Sequence, residues 1–233
     1  MLKNGVRTQI VAHRGASADM PENTMEAFIK AKELGAEIVE LDVHVLPDGT
    51  VVVHHDSELG RCEDAEGSIY QYRRDTVRGK MPLLEEILVY LKENNMRLFC
   101  EIKYDAGFCF MKYRHVVELV WSAGMMENTV FISFNHRALR ELKRAYPKCK
   151  VGALYSETYG IDMVEYCLEN SFDVAASIWS LVDGGFVKRA HDKGLEVNVW
   201  TIDNAEDINE MAKIGVDYIT SNDVKKALEV VGK

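Results

Sequence analysis

The chain has 233 residues, of which 47% are hydrophobic and 28% are charged, and its formal net charge is −9. The acidic balance argues against bulk binding to nucleic acid, which usually requires a basic face. The charge does not exclude an anionic substrate, provided that a local cation offsets the negative electrostatic potential of the acidic chain. Because no apolar run approaches the ~18 residues of a membrane span, we predict no stable membrane insertion.

The cysteines are odd in number, widely spaced and free of CxxC pairs, which argues against a disulfide framework or a structural zinc site. Free thiols are typical of a reducing compartment. The first residues also lack the apolar stretch of a signal peptide. We therefore expect a cytoplasmic protein, and the sequence leaves its oligomeric state open. The cysteines are Cys62, Cys100, Cys109, Cys149 and Cys167.

Short apolar runs rich in β-branched residues alternate with segments of helical spacing along the whole chain. The predicted strands are 9–12, 38–41, 97–100, 130–132, 151–154, 173–176, 196–199 and 217–219. The predicted helices are 24–34, 84–93, 113–122, 137–146, 162–169, 186–193, 206–213 and 224–230. Repeated strand–helix units with nearly continuous apolar strands predict an α/β protein with a (β/α)8 TIM barrel.

Local signals refine this prediction. Asn23 precedes the first helix and Glu26 follows three residues later, which resembles a capping box with Asn23 as the N-cap. A Pro-Asp-Gly turn before residues 51–53 predicts a hairpin after the second strand. The polar segment 57–80 fits no barrel unit, so we predict a short inserted loop or small cap after strand 2. Residues 1–233 are otherwise expected to form one barrel domain.

Reactive side chains cluster at the predicted strand ends. The chemistry of a (β/α)8 barrel lies where strands end and the following loops begin. Four different strands therefore bring polar or aromatic groups to one rim. The groups are His13 and Arg14 after strand 1, Glu40 and Asp42 on strand 2, Glu101 and Lys103 on strand 3, and Trp200 on strand 7.

Three of these residues predict a metal site. Glu40 and Asp42 are two residues apart on a strand, so they share one face. Glu101 ends the adjacent strand and offers a third carboxylate. Oxygen ligands favour Mg²⁺, Ca²⁺ or Mn²⁺ over zinc. The alternative is a set of rim carboxylates paired with Lys103 and an arginine, because ion-pair networks also cluster carboxylates.

Two histidines predict proton transfer. His13 ends the first strand, and alternation places His54 and His55 on opposite faces, so one of that pair points into the site. Imidazole titrates near neutral pH and can both take and give a proton. A phosphodiester cleavage needs one group for each task.

The local cations suit a phosphate. Arg14 can bind a phosphate bidentately and Lys103 can bind it as a point charge. The alternative is that both pair with the rim carboxylates, and the two roles are compatible. Trp200 either forms a wall of the pocket or is a core aromatic residue.

The motifs together resemble the glycerophosphodiester phosphodiesterase family. They are HRGASADMPENT at 13–24, ELDV at 40–43, HD at 55–56, EIK at 101–103 and VWT at 199–201, with weaker matches at 81–88, 133–134 and 219–222. The resemblance implies a (β/α)8 barrel that cleaves a small glycerophosphodiester to sn-glycerol 3-phosphate and an alcohol. It implies His13 and His55 as general acid and base, and Arg14 and Lys103 as phosphate contacts. It also implies a divalent cation on Glu40, Asp42 and Glu101.

Some positions depart from the family pattern. Cys62 and Glu63 follow Arg61 where threonines are frequent, and Asn222-Asp223-Val224 stands where Asp-Arg-Pro is common. The proposed catalytic set is intact, whereas substrate selection stays open. The sequence also leaves open whether a cyclic phosphate forms during cleavage.

Other functions compete with this one. A lysophospholipase D-like enzyme would act on lysolipids at a membrane, and the apolar residues 108–111 would offer a contact unless they start a buried helix. A non-catalytic phosphodiester-binding barrel is a second alternative. An enolising barrel enzyme is a third, although nothing singles out the base that such chemistry needs. Separately, the basic residues of the segment 57–80 either steer anions or form a solvated face.

Overall fold

Parallel strands and helices alternate along the chain, as the sequence predicts. The computed structural model describes residues 7–60, 67–77, 79–104 and 110–232. The strands are β1 (Gln9–Ala12), β2 (Ile38–Val45), β3 (Val51–Val53), β4 (Glu58–Leu59), β5 (Gly67–Ser68), β6 (Arg97–Ile102), β7 (Thr129–Ser133), β8 (Lys150–Tyr155), β9 (Val174–Ile178), β10 (Glu196–Trp200) and β11 (Tyr218–Ser221). The helices are α1 (Met25–Glu33), α2 (Arg74–Val77), α3 (Leu84–Glu93), α4 (Phe110–Ser122), α5 (His136–Ala145), α6 (Met163–Glu169), α7 (Gly184–Asp192), α8 (Ala205–Ile214) and α9 (Val224–Val231).

The main sheet is a closed barrel. Within the described residues, eight parallel strands follow the order β1-β2-β6-β7-β8-β9-β10-β11, and β11 pairs with β1. The predicted (β/α)8 barrel is confirmed. Each predicted strand and helix is present, with ends that differ by a few residues. The largest extension is in β2, which continues to Val45 because its second half pairs with β3 in an antiparallel hairpin.

The inward face of the strands changes character along the barrel axis. Ile38 lies in the apolar cluster inside the barrel, whereas Val39 and Leu41 belong to the larger core cluster that the barrel helices share. Because side chains alternate along a strand, Glu40 and Asp42 continue the face of Ile38. The barrel is therefore filled with apolar side chains below and with charged groups at its carboxyl end.

The insertion after strand 2 has an apolar cluster of its own. Its described part contains β4, β5, a 3₁₀ turn at Ile69–Gln71 and the short helix α2. These pack on the β2–β3 hairpin around a small set of buried side chains. The set is Leu46, Val52, Leu59, Ile69, Val77, Met81 and Leu83. The described part of the segment 57–80 thus packs as a small cap on the hairpin, and residues 61–66 and 78 lie outside the described part.

The start of α1 corrects one prediction. The N-cap is Thr24, whose hydroxyl accepts a hydrogen bond from the backbone N–H of Ala27 at 3.2 Å. Asn23 has a φ of 57° and is buried, so its side chain does not cap the helix. It turns toward the carboxylate of Asp42 instead, because a buried carboxylate needs hydrogen-bond donors.

Two further observations concern membrane-spanning helices and the state of the cysteines. No helix in the described ranges is both long and apolar enough to cross a lipid bilayer. Cys100, Cys149 and Cys167 are buried free thiols. Cys62 and Cys109 lie outside the described residues.

Candidate active site

A pocket of about 240 Å³ opens at the carboxyl ends of the barrel strands. Nearly all of the predicted site residues line it. They are His13, Arg14, Glu40, His55, Glu101, Lys103 and Trp200. The remaining one, Asp42, is fully buried and contacts two of them, so the structure brings the whole predicted set together.

Three carboxylates meet on one side of this pocket. Glu40, Asp42 and Glu101 each present an oxygen atom, and these oxygens lie within 4.8 Å of one another. The Nζ of Lys103 lies 2.8 Å from Asp42 Oδ1 and 2.7 Å from Glu101 Oε1. The Nε of Arg14 lies 3.1 Å from Asp42 Oδ2. The ion pairs that the sequence offered as an alternative are therefore present, together with the acidic cluster.

The three carboxyl groups titrate differently. Burial opposes ionisation of Asp42, yet Lys103 and Arg14 together hold its pKa well below the usual range. Burial and the neighbouring Asp42 raise the pKa of Glu40 well above its ordinary value. The same two causes raise the pKa of Glu101 to about 7. The two cations are thus too few to keep all three carboxyl groups ionised, and a bound divalent cation would supply the missing positive charge. An oxygen-only donor set of this kind fits a hard divalent cation.

The turn after β1 explains why the HRG motif has its form. Arg14 has a φ of 56°, and its backbone N–H donates to Glu40 Oε2 at 3.0 Å. Gly15 has a φ of +82°, and a Cβ there would approach the backbone carbonyl carbon of Ala27 to 2.7 Å. Only glycine combines that conformation with such a close approach to α1. The motif therefore brings the Arg14 amide and side chain to the carboxylate cluster.

The PENT motif supports the same cluster from the other side. Glu22 accepts a hydrogen bond from Arg14 Nη1 at 2.9 Å. The Nδ2 of Asn23 donates to Asp42 Oδ2 at 2.9 Å, and its Oδ1 accepts from the Asp42 backbone N–H at 3.3 Å. The sequence analysis did not assign these roles to Glu22 and Asn23. Their position indicates the roles, because the PENT motif follows the turn at Arg14 by only a few residues.

His13 is oriented by two residues that the sequence reasoning did not assign. Its Nδ1 lies 2.8 Å from Asn222 Oδ1, and Asn222 Nδ2 donates to Asp203 Oδ2 at 2.7 Å. This network makes Nδ1 the protonated nitrogen of the neutral ring. Nε2 then carries a free lone pair, 3.9 Å from Glu40 Oε2. Burial, followed by the charge of Arg14, lowers the pKa of His13.

His55 has a carboxylate partner. Its Nδ1 lies 2.6 Å from Asp56 Oδ1, which again leaves Nε2 free of that contact. Burial lowers its pKa, against the opposing charge of Asp42. The neighbouring His54 is buried and bonds through Nδ1 to the Asp56 carbonyl at 2.8 Å. His54 does not line the pocket.

A further histidine connects the cap to the His55 loop. His44 Nε2 donates to the backbone carbonyl of His55 at 3.0 Å, and its Nδ1 accepts from the Tyr70 hydroxyl at 2.9 Å. Burial lowers the pKa of His44 to about 4, so the ring is neutral at pH 7. Tyr70 belongs to the inserted cap. The sequence does indicate that His44 lies near the site, because His44 is two residues after Asp42 on β2 and shares its face of the strand.

The opposite wall of the pocket is apolar. Ile132, Phe134, Leu154 and Trp200 line it. The rings of Phe134 and Trp200 meet edge to face with centroids 5.7 Å apart, and Trp200 Nε1 donates to the Ala176 carbonyl at 2.9 Å. Of the two roles open for Trp200, the pocket wall is the one that its position supports.

Two other predictions involve residues at or beyond the edges of the described ranges. Of the basic residues in the segment 57–80, Arg61 and Arg78 lie outside the described part, Arg74 pairs with Glu85 at the surface, and Lys80 lies 5.2 Å from the Tyr72 ring centroid. Anion steering by this segment stays a hypothesis.

For the proposed membrane contact, residues 108 and 109 are likewise outside the described part. Phe110 packs against the core. Met111 is 60% exposed. The described half of this segment is thus divided between a buried helix start and an exposed side chain.

The barrel and its rim of carboxylates, imidazoles and cations indicate an enzyme that acts on a phosphate ester. The sequence profile of the glycerophosphoryl diester phosphodiesterase family matches residues 13–226. The chain belongs to this family and is a phosphoric diester hydrolase.

Individual relatives match over nearly their whole length. A glycerophosphodiester phosphodiesterase of Caldanaerobacter subterraneus subsp. tengcongensis is 29% identical, over 98% of this chain and 99% of the relative. The structure of an Oleispira antarctica phosphodiesterase in complex with the product sn-glycerol-3-phosphate has a TM-score of 0.89 at 25% identity, covering 97% of this chain and 98% of that one. A Galdieria sulphuraria structure has the same TM-score and identity, covering 99% and 100%.

Proposed function

We propose that the protein hydrolyses glycerophosphodiesters to sn-glycerol 3-phosphate and an alcohol. In this proposal His13 and His55 are the general acid and base, and Glu40, Asp42 and Glu101 hold a divalent cation. One observation carries it: both imidazoles and two of the carboxylates line a single pocket of about 240 Å³, with the third carboxylate directly beneath. The sn-glycerol-3-phosphate bound by the Oleispira antarctica relative supports the choice of product.

Arg14 and Lys103 would bind the phosphate. Both line the pocket, and in an acidic chain they supply the local positive charge that an anionic substrate requires. Their ion pairs with Asp42 fix both side chains in place before the substrate arrives. Such prior positioning reduces the cost of ordering them on binding.

The two histidines would move the protons. One imidazole takes a proton from the attacking hydroxyl as that oxygen bonds to phosphorus. The other gives a proton to the alcohol oxygen as its bond to phosphorus breaks, and one water is consumed overall. The attacking hydroxyl belongs either to water or to the glycerol next to the phosphate. Each positioned group contributes roughly 10²–10⁴-fold to the rate.

The metal site would favour Mg²⁺ or Ca²⁺, with Mn²⁺ as a further candidate, because its donors are all oxygen atoms. A bound cation would supply Lewis-acid stabilisation of a phosphoryl oxygen. The chain's own contribution is to hold three carboxylates within 4.8 Å against their mutual repulsion. Lys103, Arg14 and Asn23 do this through the contacts with Asp42 described above.

Product formation with defined metals tests the proposal. Purified protein is incubated with a panel of glycerophosphodiesters in Mg²⁺, Ca²⁺, Mn²⁺ or EDTA, and sn-glycerol 3-phosphate is measured. We expect product with at least one metal and its loss in EDTA. Binding without turnover under every condition would favour the non-catalytic barrel, and activity unaffected by EDTA would remove the metal from the proposal.

The wider setting is part of the proposal. We propose that residues 1–233 act as one catalytic barrel with the cap at 57–80. A cytoplasmic location is supported by three buried free thiols among the described cysteines, since such thiols are typical of a reducing compartment. Partners other than the small-molecule substrate are not required by this chemistry, and the oligomeric state stays open.

A further inference from the structure

A second cavity adjoins the active-site pocket. It has a volume of about 330 Å³ and shares Phe134 and Leu154 with that pocket. Its other walls come from the residues after β6, β7 and β8, on the same rim of the barrel. The two cavities therefore have walls in common at the carboxyl ends of the strands. We call the second cavity the aromatic cleft.

The aromatic cleft is lined mainly by rings. Its rings are those of Tyr104, Phe134, His136, Tyr155, Tyr159 and Tyr166. Tyr104 directly follows the proposed phosphate contact Lys103 and is 57% exposed. Tyr159, at the outer edge, is 86% exposed. Exposed aromatic side chains gathered around one cavity are uncommon on soluble proteins and typically mark a binding site.

The charge on the described lining of the aromatic cleft is negative. Among the described residues that line it, Glu157 is the carboxylate, and none is lysine or arginine. His136 adds no positive charge: its Nε2 donates to the Leu154 carbonyl at 2.8 Å, and its Nδ1 lies 3.2 Å from the Tyr166 hydroxyl. Burial also lowers the pKa of His136. Arg140, which does not line the cleft, donates through Nη1 to the same hydroxyl at 3.3 Å.

We propose that the aromatic cleft binds the alcohol part of the substrate and selects alcohols that carry a quaternary ammonium group. This rests on the proposed hydrolysis of glycerophosphodiesters in the adjoining pocket. Ring faces carry negative electrostatic potential and attract a poorly hydrated cation. Glu157 adds a full negative charge, while Leu154 and the rings contact the methyl groups. A purely apolar occupant, such as an acyl chain, would gain nothing from the carboxylate.

The test compares two substrates that differ in charge alone. One is glycerophosphocholine, and the other is the glycerophosphodiester of 3,3-dimethylbutanol, in which carbon replaces the ammonium nitrogen. We expect kcat/KM to favour the choline diester by roughly 3- to 30-fold, the range that cation–π attraction supports. Glu157→Gln should reduce this ratio by several-fold. Glu169→Gln, which removes an exposed carboxylate outside the cleft, should leave it unchanged.

A second pair of variants isolates the ring. Tyr104→Leu removes the aromatic face and should lower the ratio, whereas Tyr104→Phe keeps the face and should retain it. Equal kcat/KM for the two diesters in the wild-type protein, or a ratio that neither Glu157→Gln nor Tyr104→Leu changes, would overturn the proposal. A strong preference for long-chain lysolipids over both diesters would assign the cleft to an acyl chain instead.

Calorimetry on the His55→Asn protein separates this inference from the proposed function. It measures the two dissociation constants without turnover. Tighter binding of the choline diester, together with no hydrolysis by the wild-type protein, would support the selectivity of the cleft and refute the catalytic proposal. Hydrolysis of both diesters with equal dissociation constants would support the catalytic proposal and refute the selectivity of the cleft.

Discussion

The two sides of the active-site pocket are built on the same strand geometry and differ in how their side chains are held. The side formed by β1, β2 and β6 carries charged groups, and ion pairs or hydrogen bonds engage Glu40, Asp42, Glu101 and Lys103 there. The side formed by β7, β8 and β10 carries Ile132, Leu154 and Trp200, which are held mainly by packing, with one hydrogen bond from Trp200 Nε1 to the Ala176 carbonyl.

This difference separates two tasks. Charged groups in fixed positions stabilise a transition state without reorganising during the reaction. Apolar walls bind the ground state and the transition state about equally, which affects KM more than kcat. We therefore expect changes on the charged side to lower kcat, and changes on the apolar side to raise KM.

The largest effect should come from the histidines on the charged side. His13→Asn or His55→Asn removes a proton-transfer group while keeping a polar side chain, and we expect kcat to fall by roughly 10²–10⁴-fold. Steady-state kinetics with thermal melts on both variants checks this. A variant with wild-type kcat would remove that histidine from the mechanism. A large fall in melting temperature would indicate a structural role.

The acidic cluster should link stability to pH and to metal. A carboxyl whose pKa is raised on folding binds its proton more tightly in the native state, so the unfolding free energy falls as pH rises. For Glu101 the window runs from its ordinary value of 4.5 to about 7, and the change is at most a few kcal/mol. The lowered pKa values of His13, His44, His55 and His136 act in the opposite sense below pH 6.5. In metal-free protein we therefore expect the melting temperature to fall across this window relative to that of Glu101→Gln, which keeps all four histidines.

A bound cation should reverse this loss, because it compensates the ionised carboxylates. Adding Mg²⁺ or Ca²⁺ should raise the melting temperature more at pH 8 than at pH 5, where the pKa values of Glu40 and Glu101 favour protonation. Glu101→Gln should flatten the dependence. Equal stabilisation at both pH values would argue that the metal binds elsewhere.

The sequence predicted the fold and the proposed site residues for physical reasons. Nearly continuous apolar runs identify buried parallel strands, and the rule that barrel chemistry lies at strand ends gathers His13, Glu40 and Glu101. The supporting residues were harder. Asn23 was taken for a helix cap because its position matches one, and only the buried carboxylate of Asp42 turns it inward. Asn222 supports His13 through a contact that spans 209 positions, which local patterns do not show.

The residue pair Asn23 and Thr24 offers a matched comparison on the charged side. Asn23→Ala removes the hydrogen bonds to Asp42, and we expect a loss of roughly 10- to 100-fold in metal affinity or activity, as for other residues that orient ligands. Thr24→Ala removes the helix cap and should cost about 1 kcal/mol of stability with little change in metal affinity. Metal titrations and denaturant melts on both proteins separate the two effects.

The smallest effect should come from the apolar side. Trp200→Phe keeps a ring in the wall but shortens it and removes the hydrogen bond to the Ala176 carbonyl. Losing part of an apolar contact costs on the order of 1 kcal/mol, so we expect KM to rise about threefold to tenfold with kcat nearly unchanged. If kcat fell as far as we expect for the histidine variants, Trp200 would position the reacting groups. The expectation that the apolar side affects mainly KM would then be wrong at this residue.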